Sequence, residues 1–129
     1  MPGSSATPTA RPEPSSPGFP EQPVIVTFRV GETEEFRVRL VEPADIAVAY
    51  GLLAGRTEPS IPNGRLVRGE PDVNAGHPWS LDPRDFEFAD ITTEVCDGLP
   101  SAVDGPAFTA DRYCPWSAKA VAIEPMPQR

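Results

Sequence analysis

Residues 79–101, WSLDPRDFEFADITTEVCDGLPS, followed after a softer connector by residues 112–116, RYCPW, decide how this chain is read. These two segments hold both cysteines, both tryptophans and the densest run of acids and aromatics. Phe86 and Phe88 alternate with Glu87, and Ile91, Thr93 and Val95 alternate with Thr92 and Glu94, which predicts a strand. The two sets are out of phase, so a bulge is expected near Ala89 or Asp90 to bring them onto one face. The strand is expected to deliver Cys96 into Asp97-Gly98-Leu99-Pro100-Ser101, a cluster of turn formers.

Two cysteines allow a single intrachain disulfide, Cys96 to Cys114. Closing a loop of this length contributes about 3 kcal/mol in the chain-entropy account, a large share of the stability of a small domain. Two buried free thiols are the alternative. A Cys/His zinc site could not be completed from these cysteines and the lone His77 without carboxylates, so no metal is expected.

Working outward, residues 24–30, VIVTFRV, place Val24, Val26, Phe28 and Val30 on one face, and Phe36, Val38 and Leu40 alternate with Glu35, Arg37 and Arg39 after a short connection at residues 31–34. This predicts a hairpin with one buried face. A helix follows: Pro43 suits the first turn, Asp45 suits the positive end of the dipole, and Ile46, Tyr50 and Leu53 recur at helical spacing, with Gly55 placed to end it. Gly51 inside the helix costs about 1 kcal/mol relative to Ala, so the helix must depend on packing against the sheet. Residues 56–76 are expected to be irregular apart from a short strand at residues 65–67, with Asn63-Gly64 as a turn ahead of it. Residues 119–124 supply a last strand with Val121 and Ile123 inward, stopped by Pro125 and Pro127. The candidate core is Val26, Phe28, Phe36, Val38, Ile46, Tyr50, Leu53, Phe88, Val121 and Ile123.

Residues 1–23 carry seven prolines with Ser, Thr and Gly between them, a composition that cannot bury enough apolar surface to offset ordering the backbone. A disordered tail is expected there, a single domain over residues 24–125, and a short tail at residues 126–129. No apolar run near Met1 reads as a secretory signal, and nothing reads as membrane-spanning. A tether of this kind ahead of a disulfide-bearing domain suits a secreted or cell-surface chain whose export signal has been removed; a natural terminal segment is the alternative. Ten of the eleven basic residues are Arg, a bias that suggests a high-GC bacterial coding sequence. A net charge of −8 leaves no basic excess to replace condensed counterions, which argues against nucleic acid or an anionic membrane as partner.

The polar inventory for catalysis is His77, Ser80, Asp82, Asp85, Asp90, Asp97, Ser101, Asp104 and Asp111. His77 with Ser80 and an aspartate can be written as a hydrolytic triad, and Asp82 with Asp85, or Asp90 with Asp97, as an acid/base pair. Asp82-Pro83 and Asp97-Gly98 are also ordinary turn dipeptides, and no D-x-D-x-D-G loop supports a calcium site. Trp79, Tyr113 and Trp116 lie beside prolines and could form a platform for a sugar or a peptide, or else cover the disulfide and complete a core. Arg65 and Arg68 sit in a proline-braced stretch that could enter the specificity pocket of a trypsin-like protease, or else lie on a sheet edge.

Taken together, VTFRV at residues 26–30, EPADI at 42–46, IPNGRLVRG at 61–69, LDP at 81–83, EVCDGLPS at 94–101 and RYCPWSAK at 112–119 resemble a domain family first named from a slime-mould calmodulin-binding protein and also found in small exported bacterial proteins. The resemblance runs over roughly residues 24–124 and is most specific around the cysteines. It implies Trp-His ahead of Leu-Asp-Pro, whereas here Trp79 is followed by Ser80 and His77 lies two positions earlier. Calmodulin binding does not carry over, because calmodulin grips basic amphipathic helices and the expected helix has no basic residue before Arg56.

The sequence thus predicts an α+β domain: one antiparallel sheet of four or five strands, one helix across its face and one disulfide. The function expected is an exported, non-catalytic, monomeric binding module for a protein, peptide or glycan, using Arg65, Arg68, His77, Trp79, Asp82, Asp97, Tyr113 and Trp116, with no catalytic residue, metal or cofactor. The alternatives are a protease inhibitor presenting residues 61–69 or 97–101, and a small hydrolase with an acidic site.

Overall fold

A computed structural model describes residues 22–56 and 60–126. The tail expected at residues 1–21 and the stop expected at Pro127 lie outside the described residues. The hairpin forms as its alternation requires: β1 (Val24–Val30) pairs antiparallel with β2 (Glu34–Leu40), and Val24, Val26, Phe28, Val30, Phe36, Val38 and Leu40 are all buried. Helix α1 (Pro43–Leu53) begins at the expected proline and ends before Gly55, which takes a φ of 103°. Ile46 and Ala49 are fully buried, Tyr50 is half-buried, and Leu53 points outward at 43% exposure, against its placement in the core. The helix packs on one face only, and the final turn passes the edge of that contact.

The sheet itself departs from expectation. There are two three-stranded antiparallel sheets, ordered β2-β1-β6 and β4-β3-β5, in place of one sheet of four or five strands. The second is built from the stretch expected to be irregular: β3 (Ile61–Arg68) pairs with the long β4 (Trp79–Ala89) and with the two-residue β5 (Arg112–Tyr113). Asn63-Gly64 is therefore mid-strand and not a turn. A Cβ at Gly64 would sit 3.0 Å from Leu81 Cβ and 3.0 Å from Phe86 Cδ2, so glycine is required by the close crossing of β4. Opposite it, Gly64 pairs with Phe86 and Leu66 with Leu81, and residues 82–85 bulge out of the ladder. That bulge is where Asp82-Pro83 makes its turn, with Asp82 Oδ1 accepting from Arg84 N at 2.9 Å.

No bulge at Ala89 or Asp90 carries the strand onward. β4 ends at Ala89 because its partner β3 begins at Ile61, the residue paired with Ala89, and beyond that point no backbone remains to pair with. Ile91 and Val95 are consequently 85% and 71% exposed, and a 3-10 turn (Glu94–Cys96), not a strand, delivers Cys96. A second helix, α2 (Pro100–Asp104), begins at the proline of the turn cluster and buries Val103. The last strand, β6 (Lys119–Pro125), pairs with β1 through a register shift: Thr27 faces Ala122 and Phe28 faces Ala120. Val121 is the extra residue, which is why Ala120 and Ile123, of opposite parity, both pack on the core while Val121 stays half-buried.

The core lies between the sheets. Phe28 stacks on Phe36 at 5.3 Å and meets Phe88 at 6.0 Å; Phe36 meets Trp79 at 5.9 Å and Tyr113 at 5.2 Å. Such pairs add specific geometry to the burial of large apolar area. The segment at residues 72–77 closes the outer edge of β2 with side chains: Asp72 pairs with Arg39, Asn74 Oδ1 accepts from Arg37 N at 2.9 Å, and the His77 ring reaches the Glu35 carbonyl. Asn74 is buried and also donates from Nδ2 to the Trp79 carbonyl at 2.9 Å, joining β2 to β4. An unpaired strand edge is thereby capped without a fourth strand.

Candidate functional site

Cys96 and Cys114 are joined by a disulfide, and three further links run beside it. Cys114 N donates to the Cys96 carbonyl at 2.7 Å, Asp97 Oδ1 accepts from Gly98 N at 2.9 Å and from Trp116 N at 2.8 Å, and the Tyr113 hydroxyl donates to the Gly98 carbonyl at 2.7 Å. Burial, reinforced by the carboxylates of Asp97, Glu34 and Asp104, pushes the Tyr113 hydroxyl well above the usual phenol range, so it remains a donor. Asp97 thus positions the segment carrying Trp116.

Trp79, Tyr113 and Trp116 do not form one platform. Trp79 and Tyr113 are fully buried and meet edge to face at 5.3 Å, because the core between the sheets takes both rings. Trp79 Nε1 donates to Asp104 Oδ1 at 2.7 Å, and His77 Nδ1 lies 2.8 Å from the same oxygen. His77 Nε2 lies 3.1 Å from the Glu35 carbonyl. Both ring nitrogens of His77 therefore face oxygen acceptors, and neither faces Ser80, which is itself buried. The hydrolytic triad is not assembled, and geometry is what defines one.

Arg65 and Arg68 are likewise engaged. Arg65 Nη2 donates to Asp82 Oδ2 at 2.7 Å, and its Nε lies 3.7 Å from Asp85. The Arg84 backbone N–H and the Arg65 guanidinium together hold the Asp82 carboxyl below the usual carboxylate range. Arg68 donates to the carbonyls of Val103 at 3.0 Å and Phe108 at 2.7 Å, tying β3 to the segment after α2. Residues 61–69 are the middle strand of a sheet rather than a free loop, so neither arginine is offered to a protease pocket. Asp85 is shared with Arg112, which also donates to Asn63 Oδ1 at 2.8 Å. Among the described residues no group of three or more His, Cys, Asp or Glu side chains is placed to hold a metal.

Trp116 remains. Its Nε1 donates to Thr92 Oγ1 at 2.6 Å and its backbone is held by Asp97, yet the residue is 43% exposed. It lines an open groove of about 630 Å³ with Leu52, Gly55, Arg56, Ser60, Ser117, Ala118, Lys119 and Ala120. A smaller hollow of about 220 Å³, lined by Ala47, Val48, Gly51, Leu52 and Arg56, continues along α1. The family model of the N-terminal domain of the slime-mould calmodulin-binding protein, the family that the motifs resemble, matches residues 22–127, a span that includes both hollows, the disulfide and the Trp116 segment. The chain belongs to that family. None of the curated proteins and none of the solved structures matches it.

Within the family domain, the groove is the part that residue-by-residue reading missed, apart from Trp116. Arg56 and Lys119 flank it, and among the described residues neither has an ion-pair or side-chain hydrogen-bond partner. The one signal available beforehand was Gly51. A methyl group there would meet Arg56 Nη1 at 3.0 Å, so the helix glycine leaves room for the arginine to fold back across it. The outward side of α1 carries no charge: Ala47, Val48, Leu52 and Leu53 lie there, and the helix's one ionisable acid, Asp45, is buried. Burial, with Glu42 and Glu87 nearby, pushes the Asp45 carboxyl up to about 6.

Proposed function

We propose that the chain is an exported, non-catalytic binding module whose binding face is the groove between the end of α1 and residues 116–120. The observation that carries this is the indole of Trp116, exposed in a protein that buries its other tryptophan, and held rigidly from its edge and its backbone. Ligand sites are concave and mostly apolar, with a few placed polar groups, and rigid aromatic anchors contribute a large share of binding energy. Leu52, Ala118 and Ala120 supply an apolar floor, and Arg56 and Lys119 supply charge. The disulfide supports export, since such bonds persist in oxidising compartments. No helix among the described residues is long and apolar enough to cross a membrane.

The test is a pull-down from medium and cell-envelope extract with the intact domain and with Trp116→Ala, read by mass spectrometry. Capture by the native protein and its loss in the variant supports the reading; capture that survives Trp116→Ala sinks the groove as the site.

A further inference from the structure

We infer that the groove binds a carboxylate-bearing saccharide, an inference that rests on the binding reading above and names its ligand class. Charge points first to an anion. Arg56 and Lys119 stand without partners among the described residues, in a chain whose net charge is −8 and whose Arg29, Arg39, Arg65 and Arg112 side chains are all engaged by Asp or Glu. Two such cations on one groove of an acidic protein attract a carboxylate, and the guanidinium offers it a planar pair of donors.

The shape of the aromatic contact then points to a sugar ring. Trp116 Nε1 is consumed by Thr92 Oγ1, so the indole cannot donate to a ligand and presents its face instead. An aromatic face packs against the C–H side of a flat, otherwise hydroxylated ring. Ser60 and Ser117 line the same groove with hydroxyls that have no partner among the described residues, and a hydroxyl both donates and accepts, as sugar hydroxyls do. A peptide would be expected to seat a side-chain anchor in a closed pocket, and this groove is open along its length.

The test titrates trigalacturonic acid, its methyl ester and maltotriose into the protein by calorimetry, with an acidic C-terminal tripeptide as a fourth probe. The acid is expected to bind, with the ester and the neutral trimer about tenfold weaker or more, since one charge-assisted contact is lost. Arg56→Gln with Lys119→Gln should reduce acid binding to the level of the ester. Gly51→Ala should also weaken the acid, by displacing the guanidinium, while leaving the folded protein as stable as before or more so, which a purely structural role for Arg56 would not produce. Equal affinity for acid and ester, binding unaffected by the charge variants, binding of the tripeptide alone, or no binding by any probe would each overturn the ligand class. The groove reading would outlast those results if the pull-down still captured a partner that Trp116→Ala loses, so the two failures are distinguishable.

Discussion

The two tryptophans have the same local chemistry and opposite fates. Each has its indole N–H donated to a side-chain oxygen, Asp104 for Trp79 at 2.7 Å and Thr92 for Trp116 at 2.6 Å. Around Trp79 every neighbouring group is also satisfied: His77 uses both ring nitrogens, Asn74 bridges two strands, and Phe36 and Tyr113 close on the ring. Around Trp116 the ring is fixed, but its face and the two adjacent cations have no partner among the described residues. A saturated, buried cluster contributes to stability and has nothing to offer a ligand. A rigid side chain with unused bonding capacity is what a binding site is made of.

The contrast breaks first on deletion of the rings. Trp79→Ala should cost about 3–5 kcal/mol in urea unfolding, as for other large core truncations, whereas Trp116→Ala should cost well under about 1 kcal/mol and remove binding. Comparable losses for both would erase the distinction. Next in size, reducing Cys96–Cys114 should lower the unfolding free energy by about 3 kcal/mol and loosen the Trp116 segment, seen as faster amide exchange at Trp116 than at Trp79.

A third measurement concerns pH. The Asp45 carboxyl is held at about 6 in the folded protein, above its ordinary value near 4. A raised folded value means the folded state holds the proton more tightly, so this contribution is complete below pH of about 4 and is lost as pH rises through about 6. Asp45→Asn should therefore be the more stable protein at pH 7 by on the order of 2 kcal/mol, with the advantage vanishing near pH 4; an advantage unchanged across that range would refute the account. The smallest effect is at the cap of Trp79: Asp104→Asn keeps an oxygen acceptor and should cost about 1 kcal/mol, while Asp104→Ala, which orphans the buried indole N–H, should cost about 2 kcal/mol.

What was legible beforehand follows from how local each signal is. Alternation in residues 24–30 and 34–40 reports a half-buried hairpin because both strands and their turn are contiguous, and Pro43 with Gly55 brackets α1 for the same reason. β3 was hidden because proline and glycine in IPNGRLVR imitate a turn, and only the approach of β4 shows that Gly64 is needed in a strand. Ile91 and Val95 imitated a strand because alternation does not say whether a partner strand reaches that far. Of the expected binding residues, Trp116 lines the groove and Asp97 fixes its backbone, while Arg65, Arg68, His77, Trp79, Asp82 and Tyr113 are engaged in the fold. Arg56 and Lys119 line one groove from opposite ends of the domain's sequence, so no local motif joins them.

The amino-acid sequence alone determined the family, the single possible disulfide, the β1–β2 hairpin, the helix at residues 43–53 and an acidic chain poorly suited to nucleic acid. Each of these is written in contiguous residues or in composition. Tertiary structure decided that there are two sheets, that one tryptophan is core and the other surface, and that two cations meet at an open groove. Those outcomes depend on which distant segments exclude water from one another, and burial of that kind is a property of the packed chain that no local stretch contains.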